Sequence, residues 1–207
     1  MIESLKNLWG EQTGHRSRLK NALNWMHKKP KNLNGMKKII LITIVLIWSI
    51  ESYSQSSWDY VKNGSRKMDL MDYHGAILDF SKAIQLNPKE SFAFMYRGYC
   101  KAELEDYRGA ISDYSKAIQL VDPWKEDLLA EAYNARGSAK SLLKDSSGAI
   151  LDLNKAIELG EDSGSAYYNR GLTRIEMNQK ELGCLDLSKA GELGLSKAYT
   201  AIRAKCN

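Results

Sequence analysis

MDYHGAILDFSKAIQLNP (71–88) recurs as EDYRGAISDYSKAIQLVDP (105–123), KDSSGAILDLNKAIELG (144–160) and QKELGCLDLSKAGELG (179–194). The column Ala83, Ala117, Ala156, Ala190 is spaced by 34, 39 and 34 residues, and the column Gly64, Gly98, Gly137, Gly171 by the same three intervals. Two columns sharing one odd insertion mark an internal repeat, whose units bury an apolar face only by stacking on their neighbours.

Each unit reads as two helices. In the second, Ala110, Ile111, Tyr114, Ala117, Ile118 and Leu120 follow the spacing of a helix with one buried face. Asn87-Pro88 and Asp122-Pro123 end that helix in the first two units. The first helix of the second unit is predicted over Ser91 to Leu104, with a turn at Glu105-Asp106. A glycine inside a helix costs about 1 kcal/mol relative to alanine. Four glycines in register therefore need compensation, which close approach of the paired helix supplies.

The 34-residue period, the Gly and Ala columns, the YRG or YNRG of the first helix and the GAI-x-DY-x-KAI-x-L of the second resemble the tetratricopeptide repeat (TPR) family. The resemblance covers residues 57–194 and is best in the second unit. It implies an all-α, right-handed α-solenoid of about four helix-turn-helix repeats (57–90, 91–124, 130–163, 164–195), closed by a capping helix over 196–207. The chain departs from the family pattern at Lys62-Asn63-Gly64, at Ser146, at Gly183, in the missing Pro after the fourth unit, and in five extra residues within PWKEDLLAE.

Arg97, Arg136 and Arg170 precede three of the column glycines, and Asp79, Asp113, Asp152 and Asp186 recur in all four second helices. Arg–Asp pairing at helix seams is expected, within a repeat or between neighbours. Carboxylates repeating at the structural period report the scaffold rather than an active site. Near the C-terminus, Leu195, Ala198, Tyr199 and Ile202 line one side of a short segment that reads as the cap. At a rise of about 1.5 Å per residue, an antiparallel cap returns Cys206 beside Cys184. A Cys184–Cys206 disulfide is predicted, closing a loop of 23 residues counted inclusively and contributing about 3 kcal/mol. Cys100, between Tyr99 and Lys101, reads as a packed thiol.

The leader has a different composition. Residues 1–54 hold 9 Lys/Arg against 3 Asp/Glu, and residues 55–207 hold 21 against 22. The basic excess is confined to the leader, so the repeat region carries no electrostatic footprint for nucleic acid. Met36-Lys37-Lys38, the apolar run Ile39 to Ile50 and the small residues Ser52 and Ser54 predict a signal peptide over 36–54, cleaved after Ser54. No cysteine stands directly after that run, in Glu51 to Ser57, which excludes a lipoprotein anchor. An uncleaved signal anchor is the alternative, although the apolar run is short for a span of about 20 residues. Residues 1–35 read as a disordered upstream extension. Export to the periplasm or exterior of a bacterial cell is the expectation, with membrane contact only through this leader.

After Ser54 the chain has one histidine, His74, and no HExxH, CxxC, GxSxG, phosphate-loop or Ca²⁺-loop motif. The expectation is no enzyme, no metal and no cofactor. In the family, first helices line a groove for peptides or partner segments. The resemblance carries that role onto Trp58, Val61, Phe92, Met95, Tyr96, Tyr99, Asn134, Ser138, Tyr168, Asn169 and Leu172. Rings would bury apolar side chains while amides bond a peptide backbone. The basic clamp of chaperone-binding members is not formed by Lys62 and Asn169 alone. A protein or peptide partner is implied, and a structural envelope-assembly subunit without a peptide ligand is the alternative.

Overall fold

A computed structural model describes residues 56–122, 125–160 and 164–206. The leader with its signal peptide, and Pro123, lie outside them. The described residues form helices α1 (Ser57–Asp69), α2 (Tyr73–Leu86), α3 (Ser91–Glu103), α4 (Tyr107–Leu120), α5 (Glu126–Leu142), α6 (Ser146–Leu159), α7 (Gly164–Glu176), α8 (Lys180–Glu192) and α9 (Lys197–Lys205). Odd and even helices pair as the repeat predicts, with α9 as the cap. The extra residues between the second and third units become the opening turn of α5, which runs to 17 residues where α3 has 13.

The glycine column is where paired helices meet. A Cβ on Gly64 would lie 2.7 Å from the Phe80 ring, one on Gly98 2.8 Å from Tyr114, and one on Gly137 2.9 Å from Leu153. At Gly171 the obstacle is backbone, with the carbonyl oxygen of Gly183 at 2.8 Å. Phe80, Tyr114, Leu153 and Leu187 are all buried, as are the column alanines Ala83, Ala117, Ala156 and Ala190. The core is therefore a row of large side chains seated on bare helix backbone.

The turn within each pair repeats to the atom. Met71, Glu105, Lys144 and Asn178 all take φ of 60–65°. The next amide then reaches back to end the first helix: Asp72 to Lys67 O at 2.9 Å, Asp106 to Lys101 O at 2.8 Å, Asp145 to Lys140 O at 3.0 Å and Gln179 to Arg174 O at 2.8 Å. Those aspartates cap the second helix by accepting from the amides of Gly75, Gly109 and Gly148 at 2.9–3.0 Å. A Cβ on these glycines would lie 2.1–2.2 Å from the capping carboxylate. The fourth unit has Gln179 and Leu182 at these positions and lacks the side-chain cap.

Each arginine of the ladder bonds the aspartate of its own repeat with two nitrogens. Arg97 meets Asp113 at 2.8 and 2.6 Å, Arg136 meets Asp152 at 2.8 and 2.7 Å, and Arg170 meets Asp186 at 2.9 and 2.7 Å. The third nitrogen crosses to the preceding repeat, on Ser81, Ser115 and Asn154. A second cation, Lys101, Lys140 or Arg174, closes each carboxylate at 2.7–2.8 Å. Asn63 breaks the pattern. Among the described residues, Asp79 has only Lys67, at 2.7 Å from Oδ2 but without hydrogen-bond alignment. Burial raises the Asp152 pKa, yet the hydrogen bonds from Arg136 and Lys140 outweigh it and hold the carboxyl below its ordinary value.

Gly171→Ala should destabilise the protein by about 2 kcal/mol despite better helix propensity, because the Gly183 carbonyl cannot rotate away; urea denaturation measures it. Arg136→Ala should cost about 3 kcal/mol by leaving the buried Asp152 with Lys140 as its one cation. The pH dependence carries the sign of a lowered carboxylate. The Asp152 contribution is present above the unfolded value of about 3.9 and is lost as pH falls through the lower folded value. Thermal melts below pH 4 should show wild type and Arg136→Ala converging.

Candidate functional site

First helices touch one another along the array, α1 with α3, α3 with α5 and α5 with α7, whereas no comparable contact joins successive second helices among the described residues. The first helices therefore sit at the smaller radius and form the inner wall. Among the sequence candidates on this wall, Trp58 is 58% exposed and Tyr99 44% exposed. Trp58 meets Phe92 edge-on at 6.5 Å between centroids, Phe92 stacks on Tyr96 at 6.2 Å, and Tyr96 lies 5.8 Å from Phe80 in the core. One aromatic surface thus runs from solvent at α1 to the core beneath α3. Lys125 lies over the outer side of Phe92 at 5.7 Å. A shallow depression of about 490 Å³ opens there, lined by Phe92, Lys125, Glu126, Asp127 and Leu128.

Val61 and Met95 do not belong to this surface. Both are buried, in the cores of the first and second repeats respectively. Their spacing puts them on the inward side of the helix, but the neighbouring first helix closes over them.

The far half of the wall is polar. Asn169 donates to Asn134 Oδ1 at 3.0 Å, and Asn134 donates to Ser165 at 3.2 Å. These amides, expected to bond a peptide backbone, are partly spent on one another and hold α5 against α7. Lys197 sits 4.4 Å above the Tyr168 ring, while Ser138 and Leu172 are half-buried. Sequence reading missed Glu131, exposed on α5. Burial and then the Glu131 charge raise the Tyr96 pKa, and burial followed by Glu103 raises that of Tyr99. Glu131 stands at the place in its repeat that Phe92 and Trp58 hold in theirs, and that correspondence was the available signal.

Residues 130–162 match the family model of the tetratricopeptide repeat. Among solved structures, the chain resembles the MamA protein at 26% identity and a TM-score of 0.61, over 70% of this chain and 78% of that one. It resembles a chain of the APC/C hetero-tetramer Cut9–Hcn1 at 18% identity and a TM-score of 0.68, over 73% of this chain and 30% of that one. The first TPR of Spaghetti (RPAP3), bound to the HSP90 peptide SRMEEVD, aligns at 21% identity and a TM-score of 0.56, over 60% and 95%. The fold is a TPR-type helical solenoid. A comparison with curated protein sequences finds no match.

Among the described residues, the helical array gathers no group of three or more His, Cys, Asp or Glu able to hold a metal ion, and no helix is long and apolar enough to cross a membrane. Its buried aspartates are committed to cations. Cys100 is fully buried and burial pushes its thiol pKa up to about 11. A thiol that is neither exposed nor ionised is a poor nucleophile. In the native protein at pH 8, Cys100 should stay unmodified by iodoacetamide over a time that fully labels the urea-unfolded chain; peptide mass spectrometry checks this.

Proposed function

We propose that this chain is an exported, non-enzymatic scaffold that holds an extended segment of another protein against the inner wall of its TPR array. The observation that carries the reading is the aromatic surface of Trp58, Phe92, Tyr96 and Tyr99. It leaves large rings in solvent on the concave side, where ordering a side chain against them costs the array little. The peptide-bound state of one solved neighbour supports a peptide reading for this fold. That peptide ends in acidic residues. Here Glu131 borders the rings, so an apolar or aromatic side chain suits the surface better than an acidic tail.

Export is read from the leader, and the Cys184–Cys206 pair supports it, since disulfides persist outside the cytosol. The same leader, left uncleaved, would hold the array at the membrane.

A second reading, an envelope-assembly subunit, has one observation of its own. Leu78 (71% exposed), Leu151 (71%) and Leu185 (66%) occupy one position on the outer face of α2, α6 and α8, where α4 has Ser112. The two readings separate by mutation. With the chain immobilised against envelope extract, Tyr96→Ala with Tyr99→Ala should lower recovery of a stoichiometric partner at least tenfold. Leu78→Ser with Leu151→Ser should leave it unchanged. The opposite pattern would transfer the function to the outer face. N-terminal sequencing of the exported protein should begin at Gln55.

A further inference from the structure

The cap does not hold itself in place as the other first helices do. Helix α9 has 9 residues, where the other first helices have 13 to 17, and it buries only Ala198 and Ala201. Its Tyr199, the one aromatic side chain it carries, is 54% exposed and lies against Gly191 of α8. Helices α3, α5 and α7 each pack on two predecessors, the even helix before them and the odd helix before that. Helix α9 packs on α8, without a comparable contact to α7. A helix this short is marginal by itself in water.

Besides the contact of Lys197 with the Tyr168 ring of α7, at 4.4 Å, the remaining tie is covalent. Cys184 and Cys206 are bonded with their Cα atoms 5.8 Å apart. Gly191 faces Tyr199 and Cys184 faces Cys206. These two contacts are seven residues apart on each helix, about two turns, so the bond fixes the far end of an antiparallel pair in register. Both cysteines are only half-buried, which leaves the bond open to attack by a thiolate.

We propose that the Cys184–Cys206 bond is a redox latch for the cap. A dithiol reductant supplies two electrons and two protons, becomes a disulfide itself, and leaves two thiols on this chain. Helix α9 then loses its far anchor and melts from the array. Its departure uncovers the side of α8 that corresponds to where α2, α4 and α6 receive the next helix, so the reduced array has an open end. The latch goes beyond the scaffold reading and does not depend on the groove.

Hydrogen–deuterium exchange of the full chain tests it, with wild type compared before and after treatment with dithiothreitol. Reduction should speed amide exchange in residues 197–206 at least tenfold and leave α1 to α6 unchanged. The double variant Cys184→Ser with Cys206→Ser should exchange like reduced wild type. Exchange in α9 within twofold of the oxidised protein after complete reduction, or two thiols that alkylate without reductant in the purified protein, would overturn the proposal.

Discussion

The absence of a side chain at four helix positions governs this structure. Because Gly64, Gly98, Gly137 and Gly171 present bare backbone, Phe80, Tyr114, Leu153 and Leu187 settle directly on the partner helix. That contact fixes the register of each pair, and the polar seam follows from it. Each ladder arginine is the neighbour of a column glycine, and each ladder aspartate is the neighbour of the residue that glycine receives. Seating that side chain thus delivers the guanidinium to the carboxylate at the same offset of 16 residues. The arginine's spare nitrogen reaches the preceding repeat, so one side chain ties a pair together and ties it to its neighbour.

This coupling explains where the array is strict and where it is loose. The first repeat keeps its glycine and ring but has Asn63 for arginine, and its Asp79 is correspondingly held by a single, poorly aligned cation. The fourth loses the Asp-x-x-Gly cap and has Gly183 where the others have alanine, and there backbone meets backbone across the pair. With the buried Gly191 where the other second helices have Ile84, Ile118 and Ile157, Tyr199 of the cap can approach closely.

Much of this was legible in the sequence because it repeats. The helix pairs, the reason for the column glycines and the Arg–Asp pairing all rest on residues recurring at one period. The partner choice within the ladder was not legible, since spacing alone does not orient one helix on another. The αL turn was hidden because Met71, Glu105, Lys144 and Asn178 share a backbone angle but no chemistry. The Asp-x-x-Gly caps were visible in three units and were read only as part of the motif. In the groove, a family position identifies a side of a helix but not depth, and so Val61 and Met95 were assigned to a surface that the next helix covers. The hydrogen bond from Asn169 to Asn134 spans two repeats, and no pattern within one unit announces it.

A double-mutant cycle at Gly64 and Phe80 measures the central contact most directly, since the three nearest atoms to a Cβ at Gly64 all belong to the Phe80 ring. In urea denaturation, Gly64→Ala should be destabilising in wild type and neutral or stabilising in the Phe80→Leu background, a coupling of at least about 1 kcal/mol. Additivity of the two changes to within about 0.4 kcal/mol would contradict an array built on side chains seated against glycine.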